Sequence, residues 1–140
     1  MNILLIHQYF LEKNDPGGSR FNEMTKLWSE AGHSVTVVCG TFNYLTGSTP
    51  DRYKGRLFYR DDYAPNLSVL RCHVSSKYYA GFIGRIWAYF SFVFFATMGI
   101  AFKLYGRKYD IIVATSPPLF IGLIAWIASV VKRTPFVFEV

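Results

Sequence analysis

Two groups of residues in this chain have the types and spacing to bind a phosphorylated ligand and position a substrate beside it. The first is Asp15-Pro16-Gly17-Gly18-Ser19-Arg20, a glycine pair followed by a helix-capping serine and a guanidinium. Glycine lets backbone amides approach an anion, a helix N-terminus adds partial positive charge, and Arg20 offers a bidentate contact. No G-x-G-x-x-G fingerprint is present, and no G-K-[ST] follows, which excludes a P-loop. A plain turn glycine pair ahead of a helix accounts for the same residues equally well. The second group is His7 and Gln8 with Thr115 and Ser116, each pair closing a short apolar run. Carboxyl ends of neighbouring parallel strands face one crevice, so these four residues can line one pocket. Taken singly, a satisfied half-buried histidine at position 7 and a helix cap at Ser116 are the commoner arrangements.

Other chemistries lack their residues. His73 and Cys72 are adjacent in a strand pattern and so point to opposite faces, with no Cys or His at ligand spacing; no metal is expected. The two cysteines, Cys39 and Cys72, are too few for a disulfide framework and fit a reducing compartment. No Ser-His-Asp arrangement can be drawn, and Asp110 belongs at a strand start, away from the crevice.

Strands and helices must hold the candidate groups, and the hydrophobic pattern supplies them. Asn2 to His7 is an unbroken apolar run, as in a strand covered on both faces. Ser19 can cap a helix reaching Ala31, with Phe21, Met24, Leu27 and Trp28 at helical spacing, and Gly32 ends it. Ser34 to Cys39 is a β-branched strand that completes a right-handed βαβ unit. Residues 40–66 read as a long loop with an extended piece at Leu57 to Tyr63. Leu67 to Val74 is a third strand, Gly84 to Tyr105 a helix, and Asp110 to Thr115 a fourth strand. Ser116 caps a further helix with Pro117 and Pro118 in its first turn, ending at Lys132 and Arg133; Phe136 to Val140 begins a fifth strand. This order predicts an α/β protein with a mostly parallel sheet.

Composition adds a second theme. Of 140 residues 51% are hydrophobic and 17% charged, enough to fill a core and too apolar for a disordered chain. Aromatics reach 19%, an excess that needs a destination. The net charge of +6 is confined to residues 63–140, which hold eight basic and two acidic side chains; residues 1–62 hold seven of each. Nucleic-acid surfaces interleave basic with polar residues, whereas here the basic residues bracket apolar helices, which fits an anionic membrane surface and not nucleic acid. Membrane contact is expected at Arg85, Trp87, Phe94, Phe95, Lys103, Arg107 and Lys108. The 17 uncharged residues from Ile86 to Phe102 make a marginal span, about 25 Å of helix against roughly 30 Å of hydrocarbon. Gly84, Ala88, Ser91 and Gly99 instead mark a face that can pack on a sheet. A small membrane protein with two short helices, and a binding module for a phosphorylated ligand, are the alternatives.

The segments HQYF (His7–Phe10), GGSR (Gly17–Arg20), AGHSVTVV (Ala31–Val38), ATSPPL (Ala114–Leu119) and PFVFEV (Pro135–Val140), in this order and spacing, resemble the amino-terminal half of family 4 glycosyltransferases of the GT-B fold. The likeness covers nearly the whole chain. It is closest to the bacterial subgroup that assembles O-antigen, capsule and exopolysaccharide units on a lipid carrier. The resemblance implies a Rossmann-like sheet with helices on both faces, forming the acceptor-side domain of two that face a cleft. It implies that Gly17, Gly18, Ser19 and Arg20 approach the donor diphosphate, and that His7, Gln8, Thr115 and Ser116 line the acceptor cleft. The substrates would be a nucleotide-sugar and a polyprenyl-linked saccharide, joined with retention and without metal or other cofactor. Stabilisation of the leaving diphosphate would carry the catalysis. The enzyme would be cytoplasmic and peripheral on the inner face of the cell membrane. In the family the pattern continues into a donor-binding domain with paired glutamates, so residues 1–140 are expected to be an incomplete domain, inactive alone.

Overall fold

A computed structural model describes residues 1–11, 20–43, 48–75, 80–115 and 119–139. Its most apolar strand, β1 (Asn2–Ile6), lies inside the sheet, where both neighbours shield it: Leu4, Leu5 and Ile6 are fully buried. It pairs in parallel with β2 (Ser34–Gly40) on one side and with β5 (Ile111–Thr115) on the other. Beyond β2 lies β4 (Leu67–Cys72), and beyond β5 lies β6 (Phe136–Glu139), both parallel to their neighbours. One strand breaks the pattern. β3 (Phe58–Ala64) turns back on β4 as an antiparallel edge, giving the order β3-β4-β2-β1-β5-β6. The expected extended piece is therefore a sixth strand.

Helices cover the two faces unequally. α1 (Arg20–Glu30) lies over Ile3, Leu5, Val35, Val37 and Val69, burying Phe21. The alternate residues Leu4, Ile6, Val38, Leu70 and Ile112 point the other way, as strand periodicity requires. They pack beneath α2 (Phe82–Met98), which runs on as a π-helical turn over Gly99–Lys103, and beneath α3 (Ile121–Lys132). Gly84 and Ala88 are buried against the sheet, and Ser91 accepts from the Ser75 amide at 2.9 Å. Gly99 sits so close that an added Cβ would lie 3.1 Å from both Cys72 Sγ and Phe58 Cε1.

The starts of two helices differ from those the sequence suggests. α3 begins at Ile121 with Phe120 in the cap position, more than a turn beyond Ser116; Pro117 and Pro118 lie outside the described residues. α2 begins at Phe82, ahead of Gly84, with Gly81 in the cap position at φ 103, a conformation open to glycine. At the amino edge the Asn2 amide donates to Asp110 Oδ2 at 2.6 Å, which ties the start of β5 to β1.

Candidate functional site

From β1 the chain winds to β2 and β4 on one side and later to β5 and β6 on the other. The winding reverses between β1 and β5, and the carboxyl ends there form the crevice where open parallel sheets bind ligands. His7 follows β1 and Thr115 closes β5. They meet in the crevice, with His7 Nδ1 2.6 Å from Thr115 Oγ1. The backbone after β1 stays tied to β2: the His7 amide donates to Val38 O, and Gln8 O accepts from the Gly40 amide at 3.1 Å. Only glycine fits at position 40, because a Cβ would lie 2.7 Å from Val74 Cγ2 and 3.3 Å from Gln8 O. The Gln8 side chain is fully buried there.

Burial first, and the Arg20 charge second, push the His7 pKa down from 6.5 to about 4. At neutral pH the ring is therefore an uncharged hydrogen-bonding group, not a counter-charge for phosphate. Its centroid lies 4.5 Å from that of Phe21. The positive charge of the site belongs to Arg20, which opens α1, stacks over Phe21 at 4.5 Å and forms an ion pair with Glu139 at the end of β6. Both partners of that pair are about half exposed. Such a pair contributes little to stability, so an anionic ligand can replace the carboxylate cheaply.

A buried arginine that no sequence motif marks braces this edge. Arg71 in β4 is 2% exposed, and its Nη1 donates to Phe10 O at 3.0 Å and to Gly40 O at 2.9 Å. Its Nη2 donates to Tyr63 Oη at 2.7 Å, and that hydroxyl donates to Leu11 O at 3.1 Å. Burial alone would pull the Arg71 pKa down, but Cys39, Tyr63 and Tyr53 outweigh it and keep the guanidinium charged. Burial also pushes the Tyr63 phenol up to about 12, so it stays protonated and able to donate. The pair grips Phe10 and Leu11 where the chain departs toward residues 12–19. A lone arginine in an apolar strand gives no local pattern by which sequence could find it.

Of the sequence candidates, the structure brings His7, Gln8, Thr115 and Arg20 to the carboxyl edge. Gly17, Gly18, Ser19 and Ser116 lie outside the described residues. Glu139 joins this edge, a residue that its sequence neighbours give no reason to single out. Arg85, Trp87, Phe94, Lys103, Arg107 and Lys108 are exposed on α2 and the turn after it. Phe95 departs from them. It is half-buried and packs edge-on against Phe58 and His73, because one residue of helix turns it 100° from Phe94 toward the sheet. A polar hollow of about 370 Å³ lies at the opposite, amino edge among Thr36, Arg60, Asp62, Asn66 and Arg107, remote from His7.

No protein-family model and no curated protein sequence matches the chain. Solved structures do. The catalytic domain of starch synthase IV from Arabidopsis thaliana, bound to ADP and acarbose, is 13% identical with a TM-score of 0.57; the match covers 98% of this chain and 33% of that one. A C-terminal domain of a hydrogenase from Pyrococcus furiosus is 14% identical with a TM-score of 0.52, over 99% of this chain and 90% of that one. At these identities the likeness is one of fold. The chain is an α/β, Rossmann-like domain whose architecture recurs in a glycosyltransferase catalytic domain, of which it spans about a third.

Proposed function

We propose that this chain is the acceptor-side domain of a retaining, metal-independent glycosyltransferase that moves a sugar from a nucleotide-sugar to a lipid-linked saccharide at the cytoplasmic membrane face. The observation that carries the reading is the meeting of neutral His7, Thr115 and the exchangeable Arg20–Glu139 pair at the switch point. In this reading Arg20 leaves Glu139 for the donor diphosphate, aided by the amino end of α1 and the Gly17-Gly18 backbone. His7, oriented by Thr115, hydrogen-bonds an acceptor hydroxyl with its other ring nitrogen. Arg71 and Tyr63 fix the start of the loop that meets the diphosphate. A second domain supplies the remaining donor contacts, so the chain alone binds weakly and transfers nothing.

The fold by itself does not choose this reading, since a hydrogenase domain shares it. The site does. Isothermal titration of the chain with a nucleoside diphosphate tests it: Arg20→Ala should weaken binding on the order of tenfold to a hundredfold, the worth of one charged hydrogen-bond pair. Equal affinity in a folded Arg20→Ala variant would remove Arg20 from the site. Micromolar binding by the chain alone, with no transfer in the two-domain protein, would favour a phosphate-ligand binding module.

A further inference from the structure

Helices α2 and α3 each bury one stripe on the sheet and leave the opposite stripe uncovered. On α2 the buried residues are Gly84, Ala88, Phe92 and Ala96, while Ile83, Trp87, Phe90 and Phe94 face outward at helical spacing. On α3 the buried set is Ile121, Ile124, Ala125 and Ala128, and Leu123, Trp126 and Val130 face outward. Trp87 is 62% exposed and Trp126 57%, values at which a lone tryptophan would be unusual and two on one face are more so. The helices pack side by side on the same sheet face, and Phe90 lies 5.0 Å from Phe120 at the entry to α3. Their outward stripes therefore form one continuous apolar surface. Soluble monomers rarely expose contiguous apolar area beyond a few hundred Å².

Charge identifies what covers it. Residues 82–109 and 119–135 contain no aspartate or glutamate, and Arg85, Lys103, Arg107, Lys108 and Arg133 sit exposed around the surface. A second copy docked there would bring like charges together without a carboxylate to meet them. An anionic bilayer offers both the apolar interior and the negative rim. Lys132 is engaged elsewhere, since its Nζ donates to Leu104 O and to Arg107 O and binds the end of α3 to the end of the α2 segment.

We propose that α2 and α3 together form a two-helix seat that lies in the interface of an anionic membrane without crossing it. This deepens the membrane-face part of the function proposed above and rests on it. Phe82–Lys103, 22 residues, is long and apolar enough to span, with a mean hydropathy of 1.5 over an 18-residue stretch. Crossing would nevertheless pull Phe92, Ala96 and Ile100 off the sheet and bare Leu4, Ile6, Leu70 and Ile112 beneath them, returning their buried apolar area to water. Both helices begin at the carboxyl edge. There Tyr9 Oη donates to Tyr89 Oη of α2 at 3.5 Å, and the Tyr89 ring rests 6.1 Å from Phe120. The His7–Thr115 crevice thus opens at the rim of the seat, where a saccharide carried on a lipid arrives along the membrane plane.

The full chain, mixed with vesicles of phosphatidylcholine and phosphatidylglycerol containing lipids brominated on their acyl chains, provides the test. Single-tryptophan variants retaining Trp28, Trp87 or Trp126, with phenylalanine at the other two positions, report each helix separately by fluorescence quenching. Quenching of Trp87 and Trp126 together, with Trp28 on α1 unquenched, is the expected result. Quenching of Trp87 alone would overturn the two-helix seat and leave a one-helix contact standing. Quenching of neither would overturn membrane attachment altogether. Carbonate at high pH should release the bound chain, and retention would overturn the lying orientation. Lys103→Gln, Arg107→Gln and Lys108→Gln combined should weaken vesicle binding on the order of a hundredfold; unchanged binding would remove the charge argument. A dimer that vesicles fail to dissociate would assign the surface to a second copy.

Discussion

At the residue scale, His7 makes the sharpest statement, because one ring reports both stability and site. Its folded pKa of about 4 lies below the ordinary 6.5, so between these values the unfolded chain binds a proton that the folded chain refuses. The penalty is absent above pH 6.5, grows as pH falls and is complete near pH 4, where it reaches about 3 kcal/mol. Thermal melts of the wild type and His7→Phe across pH 4 to 7 should show a loss in the wild type that the variant lacks. Parallel profiles would mean that His7 is protonated in the folded chain. Arg71→Met should cost about 3 kcal/mol or more, because Tyr63 and two backbone carbonyls lose their donor. A variant as stable as wild type in urea would contradict the bracing role. The two residues also mark what sequence can reveal. His7 and Thr115 are legible, since ends of apolar runs become ends of neighbouring strands. Arg71 is not, since its partners are backbone carbonyls and a tyrosine brought near only by folding.

At the element scale, close approaches decide the outcome. Gly40 lets the segment after β1 lie against β2, and Gly40→Ala must displace Val74 or the Gln8 carbonyl. A cost of about 1–3 kcal/mol is expected, read as a lowered melting temperature; an unchanged transition would show that this edge has slack. Arg133 ends α3 in the left-handed region at φ 53, a conformation that favours glycine. Arg133→Gly should therefore stabilise the fold by about 0.5 kcal/mol, the difference between relieved strain and added chain entropy. A lowered melting temperature would mean that the side chain has a structural contact. The βαβ core and both apolar helices are legible because their periodicities are long. β3 is legible only as an extended piece: Arg60, Asp61 and Asp62 make it resemble a loop, and those charges suit an edge strand. The start of α3 is misplaced by sequence because a serine before two prolines imitates a cap.

At the scale of the whole molecule, the two sheet edges contrast. β3 is charged and self-protecting, while β6 presents Phe136 and Val137, 38% and 52% exposed, with no neighbouring strand beyond it among the described residues. With the uncovered α2–α3 surface this predicts that the 140-residue chain alone associates or requires detergent or lipid. A monodisperse monomer in plain buffer, by size-exclusion chromatography, would contradict that. Composition discloses the aromatic excess but not its location, which depends on how two helices rotate on one sheet face. The proposed function has the carboxyl-edge crevice handle a diphosphate-leaving sugar donor beside a lipid-borne acceptor. Its most direct measurement is transfer of radiolabel from a nucleotide-sugar into extractable lipid by this chain joined to the proposed donor-binding domain, comparing wild type with Arg20→Ala. A loss on the order of a hundredfold is expected for one preorganised contact to the developing charge; undiminished transfer by a folded Arg20→Ala enzyme, or label that never enters lipid, would contradict it.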